Sequence, residues 1–493
     1  MRALVAFLPE IILGITLLFV VLAEITYHGE RTRLTPLISL FGLAAAFLQI
    51  LVVFYYGPTF VFEKVLAVDG LSLFFKLLFT VLGALAVISA VQAKEIARSM
   101  RTEYCALIVA ACLAMCLAAS SADLIVLFLS LLCVNIVFSV LAAYGKRSVL
   151  SIEAGIKYLM FSVVSVGFLL FGIALIFAAT KELNIYEIHR VLLVQAIDPK
   201  GMLVIFSFFF LAIGFQMAAF PFYLWAPDVI EGAPTPVSSF IILGSRGVGF
   251  AVLLRFVLVL LSVPTETGEG IGPLRHYIGD FDWPQILAQL SGFSMLVGAF
   301  LALRQKGAKR MVGCLAVSQT GFFLMGPLVL DQQGVAALMY NLVIEVFTLT
   351  GIFFVLAVFY DEMRSDRLAD FKGVLGKAVP ECICLILFLL CLVGVPPLPG
   401  FIGKFALVGS AVQHGWTALA GLAIVSMGVS TAAVARLIYA MISDYRKPVD
   451  VRLEFGVRGR LFLFSLMMPL VLSGGFAENF FQWAGKHLGS ILW

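Results

Sequence analysis

Charge is what this chain has least of. Asp, Glu, Lys and Arg together make up 13% of 493 residues, whereas 62% are hydrophobic and the mean hydropathy is +1.08. A soluble fold of this length cannot hide that much apolar surface, so the chain is read as an all-α integral membrane protein. The net charge of +4 is scattered over short loops with no dense basic patch, which excludes a nucleic-acid footprint. Eight cysteines lie in apolar runs without CxxC spacing. Cys112 and Cys116 share a helix face, as small residues commonly do, and are not read as metal ligands. No Gly-rich phosphate loop follows a strand and no ligand cluster is present, so the chain itself is expected to hold no nucleotide, flavin, iron–sulfur cluster or metal.

What is present is a succession of apolar runs, each long enough for the roughly 20 residues that a spanning helix needs. Fourteen are expected, at about 5–26, 35–57, 70–92, 103–119, 121–143, 151–180, 202–222, 234–262, 285–303, 311–330, 334–360, 379–411, 415–441 and 460–484. The first is kept as a helix and not a signal peptide, because its apolar core is long and carries Glu10. Lys and Arg are retained on the cytoplasmic side. With the N-terminus outside, inside loops hold 20 of the 33 basic residues, outside loops and termini seven, and the helices six. Both termini are therefore expected outside, and a cysteine placed at Ala308 is expected to label only from the cytoplasm.

Two of these runs are interrupted. FPFYLWAPDVIEGAPTPVSSF, residues 220–240, carries four prolines after the seventh run, and GVPPLPG, residues 394–400, cuts the twelfth. Proline removes a helix hydrogen bond, and in lipid the freed backbone must be satisfied by protein or cavity water. The interruptions lie five helices apart. That odd offset reverses orientation, so helices 4–8 and 9–13 are expected to form an inverted repeat with the working site at midmembrane. The expected units are 1–102, 103–262, 285–441 and 460–484.

These residues resemble a known family. The strings LPEIILGITLLFVVLAE, DGLSLFF, EAGIKYLMFSVVSVGFLLFGIALIF, WAPDVIEGAPTPV, ADFKGVLGKAVP and GVPPLPGFIGKF occur here in the order found in subunit N of bacterial type I NADH:quinone oxidoreductase, an antiporter-like membrane-arm subunit. Subunits of Mrp-type antiporters and membrane-bound hydrogenases share its fold. The resemblance implies a non-redox subunit of a proton-translocating, complex I-like assembly in the bacterial inner membrane. Other membrane-arm subunits would be its partners, with a peripheral redox arm carrying the oxidoreduction.

The chain departs from this family where protons are handled. The resemblance implies a glutamate in helix 5 where Leu132 stands, a lysine at the helix 7 break where Gln216 stands, a lysine in helix 8 where Arg246 stands, and a histidine in helix 10 where Gln319 stands. Lys404 in helix 12 is retained. Leucine and amide side chains do not titrate, and arginine stays protonated at physiological pH. The proton route is therefore expected to be altered or closed, with Lys404 and Arg246 as positive charges. Glu345 in helix 11, where the family usually has an aromatic or small residue, is read as the counter-ion of Arg246 or of Lys404. Glu153 and Lys157 stand at i and i+4 in the favourable order for an ion pair, as a proton-uptake route or an anchor. Asp228 and Glu231 are expected to cap or anchor their loop. Lys76 and Arg255 are assigned to snorkelling or packing, and Arg436 is a weak candidate for field tuning. Two readings stand against a proton-translocating subunit: an Mrp-type antiporter or membrane-bound hydrogenase component, and a spacer that keeps adjacent pumping subunits in register.

Overall fold

The computed structural model describes residues 2–27, 34–93, 95–96, 100–146, 148–194, 198–264, 271–273, 282–443 and 455–488. Among the described residues, thirteen helices are long and apolar enough to cross a membrane: Leu8–Thr26, Leu34–Tyr56, Gly70–Gln92, Arg101–Ser120, Leu124–Ala142, Val149–Thr180, Lys200–Gly232, Thr235–Leu260, Trp283–Arg304, Ala308–Val329, Gln332–Met363, Thr417–Ile442 and Val457–Lys486. Between Gln332–Met363 and Thr417–Ile442 lies an interrupted span, Val379–Val393 followed by Pro399–Gln413. Counted in chain order, with the interrupted span twelfth, these are the fourteen spans expected.

The twelfth span is interrupted where GVPPLPG was expected to cut it, as two pieces of 15 residues each. One boundary differs from expectation: the seventh span does not end at 222, since its helix stops at Met217 and resumes as Trp225–Gly232. Smaller elements escaped the hydropathy reading because they are too short to leave a periodic signal. They are a lateral helix, Ile185–Val194, and antiparallel hairpins pairing 59–61 with 66–68 and 262–264 with 271–273. Of the basic loop residues that set the expected orientation, Arg31, Arg33, Lys94, Arg98, Arg147, Arg446, Lys447 and Arg452 lie outside the described residues, as does Arg275 of the opposite set.

Packing partners recur with an offset of five. The fourth span packs on the fifth and eighth, as the ninth does on the tenth and thirteenth. The contacts of 5 with 6, 5 with 8, 6 with 7 and 7 with 8 likewise recur as 10 with 11, 10 with 13, 11 with 12 and 12 with 13. The eighth and eleventh spans form the seam between these groups. Every residue from Thr235 to Leu260 is buried, so the eighth span touches protein on all sides. Outer spans instead turn large apolar side chains outward, among them Phe41, Met160, Ile424 and Val471, as a surface facing lipid requires.

Candidate functional site

The break in the seventh span frees backbone groups in the membrane interior, where each must find a partner. Ala218 takes a left-handed conformation, φ +55°, and the chain leaves the helix. Side chains then satisfy what it exposes. The Trp225 indole N–H donates to the Phe215 carbonyl at 3.0 Å, and Thr320 Oγ1 donates to the Met217 carbonyl at 2.7 Å. Ser245 Oγ lies 2.7 Å from the Gln216 carbonyl and 3.0 Å from its side-chain Oε1, and the Phe220 N–H donates to Ser294 Oγ at 2.9 Å.

The Gln216 side chain extends this into a neutral network. Its Nε2 donates to Asn135 Oδ1 at 2.9 Å, and the Tyr158 hydroxyl donates to the same oxygen at 3.2 Å. Asn135, Tyr158, Gln216 and Ser245 are all buried. None can carry a mobile proton charge near neutral pH. Leu132, the position read from the resemblance as a lost glutamate, is half-buried one turn before Asn135. Asn135 is the polar residue of the fifth span in this network, and the sequence reading missed it.

The break in the twelfth span is built differently. Gly394 ends the first piece at φ +89°, a conformation that costs glycine little. The second piece then packs back so closely that a Cβ on Gly400 would lie 1.9 Å from the Cys391 carbonyl oxygen. Lys404, one turn into the second piece and 2% exposed, reaches back to the C-terminal end of the first. Its Nζ donates to the Leu392 carbonyl at 2.5 Å and sits 5.1 Å from the Phe322 ring centroid. A helix C-terminus and an aromatic face both favour a cation. Among the described residues, Lys404 forms no ion pair with a carboxylate.

Arg246 and Glu345 meet at the seam between the eighth and eleventh spans. An Arg246 Nη1–H donates to Glu345 Oε1, and the two residues are 1% and 3% exposed. Of the two cations read as its partner, Glu345 thus pairs with Arg246. A cavity with room for about one water molecule adjoins the pair and is lined by Glu345, Lys404, Gln319, Asn341, Thr348 and Cys391 among others. The tertiary fold therefore brings Arg246, Glu345, Gln319 and Lys404 into one neighbourhood. Gln216 sits beyond it in the neutral network, on the other side of the eighth span's Ser245–Arg246 pair.

The remaining predicted residues stand apart. Lys157 pairs with Glu153 at 2.7 Å and with Asp228 at 2.8 Å, while Arg310 pairs with Asp228 at 2.8 Å and Glu231 at 2.9 Å. This partly exposed chain fastens the second piece of the seventh span to the sixth and tenth. Asp228 and Glu231 thus anchor by ion pairs and not by capping. Arg436 is exposed and donates to the Leu303 carbonyl.

For two residues the structure decides between snorkelling and packing. Lys76 does not snorkel but packs inside the bundle: it is 1% exposed and pairs with Glu10 at 2.5 Å. Arg255 is likewise buried and makes a two-pronged pair with Asp69, Nη1 to Oδ2 at 3.1 Å and Nη2 to Oδ1 at 2.9 Å. Each partner lies more than 60 positions away in sequence, so local reading had no means of pairing them. The general signal was there, since a charge inside an apolar run needs a counter-charge.

The profile of the NADH:quinone oxidoreductase/Mrp antiporter transmembrane family matches residues 121–430. The chain belongs to this family. It is 36% identical over 430 residues to NADH-quinone oxidoreductase subunit N 2 of Chloroherpeton thalassium, covering 85% of this chain and 81% of that one. To subunit N of Chlorobium chlorochromatii it is 32% identical over 485 residues, 95% and 92% of the two chains. Among solved structures, a chain of respiratory complex I from Thermus thermophilus matches with a TM-score of 0.79 at 25% identity, over 96% of this chain and 98% of that one. A chain of the Mrp complex from Dietzia has the same fold, with a TM-score of 0.82 at 15% identity, over 99% and 97%. The chain is thus an antiporter-like, N-type membrane-arm subunit, as its sequence strings led us to expect.

Proposed function

We propose that this chain takes part in redox-coupled proton translocation through one repeat and not two. Residues 103–262 and 285–441 are the inverted repeats, with 1–102 and 460–484 as flanking helices. The first repeat is electrically closed at its centre, because the Asn135–Gln216–Ser245–Tyr158 network contains no group that gains or loses a proton near pH 7. The second keeps Lys404 as its protonated site, with Arg246 and Glu345 as the charge pair beside it. One observation carries this reading: Lys404 is buried at a helix break beside a cavity and forms no ion pair with a carboxylate among the described residues. A cation held only to allow membrane insertion would be expected to have such a partner.

The chain holds no redox centre of its own, and the oxidoreduction occurs in partner subunits of a complex I-like assembly. It sits in the bacterial inner membrane with both termini outside. A spacer role is the competing reading, and the neutral first repeat favours it for that half of the chain. The likeness to the Mrp complex is one of fold alone and supports no antiporter role. Co-purification with a flavin- and iron–sulfur-bearing arm separates that role from a complex I-like one.

Lys404→Met tests the reading because it removes the charge while nearly conserving volume. In the assembled complex reconstituted into vesicles, protons translocated per electron should fall while electron transfer to quinone continues. A ratio equal to the parent's would establish the spacer instead.

A further inference from the structure

The Arg246–Glu345 pair occupies half of the Glu345 carboxylate. Oε1 takes the guanidinium, while Oε2 is buried with no hydrogen-bond partner among the described residues. Gln319, on the same cavity wall and 2% exposed, has an Nε2 without a partner too. Lys404 completes the enclosure, with one of its three donors committed to the Leu392 carbonyl. An acceptor, an amide donor and an ammonium thus face a space that fits about one water molecule. Buried polar groups are seldom left unpaired. A water that accepts from Gln319 and donates to Glu345 satisfies both atoms. A metal cation suits the space less well, because Gln319 Nε2 and Lys404 Nζ present N–H donors and Arg246 already stands against the carboxylate.

We propose that Glu345 is a proton acceptor for Lys404, the two exchanging a proton through a water held in this cavity by Gln319. This rests on the reading of Lys404 as the protonated site of the second repeat. In the step, the water oxygen takes a proton from the Lys404 ammonium as one of its own O–H protons passes to Glu345 Oε2. An N–H bond breaks, a carboxyl O–H bond forms, and the water is regenerated. The group carries one net positive charge before and after, because Arg246 keeps its proton throughout. The guanidinium favours the ionised carboxylate, so it returns the proton to Lys404 when the cycle resets. Leu132 and Gln216 removed titratable groups from the first repeat; Glu345 adds one to the second.

The test uses the assembled complex in vesicles, with protons per electron measured for Lys404→Met, Glu345→Gln, their double variant and Gln319→Leu. If the two groups serve one step, the single variants lower the ratio equally, the double variant is no lower than either, and Gln319→Leu lowers it as well. Infrared difference spectra on reduction should show a protonated-carboxyl band that Glu345→Gln abolishes. If Glu345→Gln leaves Arg246 too poorly compensated to assemble, Arg246→Gln/Glu345→Gln, which is neutral throughout, takes its place. The proposal is overturned if Lys404→Met lowers the ratio while the Glu345 variant pumps as the parent does, or if the two losses add. If Lys404→Met itself leaves the ratio unchanged, the underlying reading of Lys404 fails first, and that result is distinct from either.

Discussion

Arg246 has no accessible neutral form, so its burial at the seam depends on Glu345 beside it, whose Oε1 accepts from the guanidinium and which is ionised except in the step that places the Lys404 proton on Oε2. Removing one member of a buried ion pair strands the other and costs roughly 3–5 kcal/mol, whereas replacing both with apolar residues of similar size is often neutral. Arg246→Leu should therefore sharply reduce the amount of assembled complex, and Arg246→Leu/Glu345→Leu should restore it, by native gel and thermal-shift measurement. Equal recovery without the second change would mean that the pair has no structural role. Restored assembly is not expected to restore pumping, since the double variant also removes the carboxylate. Glu10–Lys76, between the first and third spans, and Asp69–Arg255, between the start of the third span and the eighth, obey the same logic. Because they stand away from the cavity, their loss should reduce assembly without changing protons per electron in the complexes that form.

A broken helix is stable only if its freed backbone groups find partners and its pieces pack closely. In the seventh span, Trp225 supplies one of those partners. Trp225→Phe keeps an aromatic ring and deletes the indole N–H, leaving the Phe215 carbonyl with the Ala218 N–H at 3.0 Å as its remaining donor, a loss of roughly 0.5–1.5 kcal/mol; a lower unfolding temperature for the purified complex should report it. In the twelfth span, Gly400→Ala would place a methyl against the Cys391 carbonyl and force the two pieces apart. Gly409→Ala, on the same helix with nothing within 4 Å of its added Cβ, is the control. Assembly should fail for the first and not for the second. The lateral helix offers a pH test. Burial lowers the pKa of His189, whose Nδ1 lies 3.4 Å from the Leu260 carbonyl. A depressed pKa means that the released helix binds the proton more readily than the docked one. Docking is therefore fully favoured above the unperturbed value of about 6.5 and weakens as pH falls below it. Protection factors over 185–194, exchange rates corrected for their intrinsic pH dependence, should fall between pH 7.5 and 5.5, and unchanged protection would contradict the assignment.

At each end of the molecule, described connections bridge to others at the same end. Gly307 bridges to Arg367, and Asp123 to Asn184, each pair joining loops of one parity. On the face holding the basic loops, the Lys309 ammonium donates to the Ala233 carbonyl at 2.6 Å, and the Glu95 carboxylate accepts from Thr235 N–H and Oγ1 at 2.5 and 2.7 Å. The first contact ties the connection after the seventh span to the tenth, and the second ties the start of the eighth to the connection after the third, while the Arg246–Glu345 pair joins the eighth and eleventh spans. Orientation is testable by labelling, but not at Ala308, which is fully buried. Lys306, two residues earlier, is exposed. A cysteine there should react with a membrane-impermeant maleimide from the cytoplasmic side alone, and reaction from outside would invert the topology.

The number of spans, their order and the positions of both breaks were legible in the sequence because they depend on local properties. Apolar runs of spanning length must cross lipid, and the clustered prolines around Pro221 and at 396–399 interrupt a helix where the single Pro327 and Pro469 do not. That Leu132, Gln216 and Gln319 bear side chains that do not titrate was equally legible, since it rests on side-chain type alone. Partnership was not. Nothing local says that Glu345 faces Arg246 and not Lys404, that Asn135 completes a network with Gln216, or that Glu10 neutralises Lys76. Those choices depend on which helix faces meet across the bundle. Burial then makes them consequential, because water no longer competes for a charge or an amide and each must accept the partner that packing brings to it.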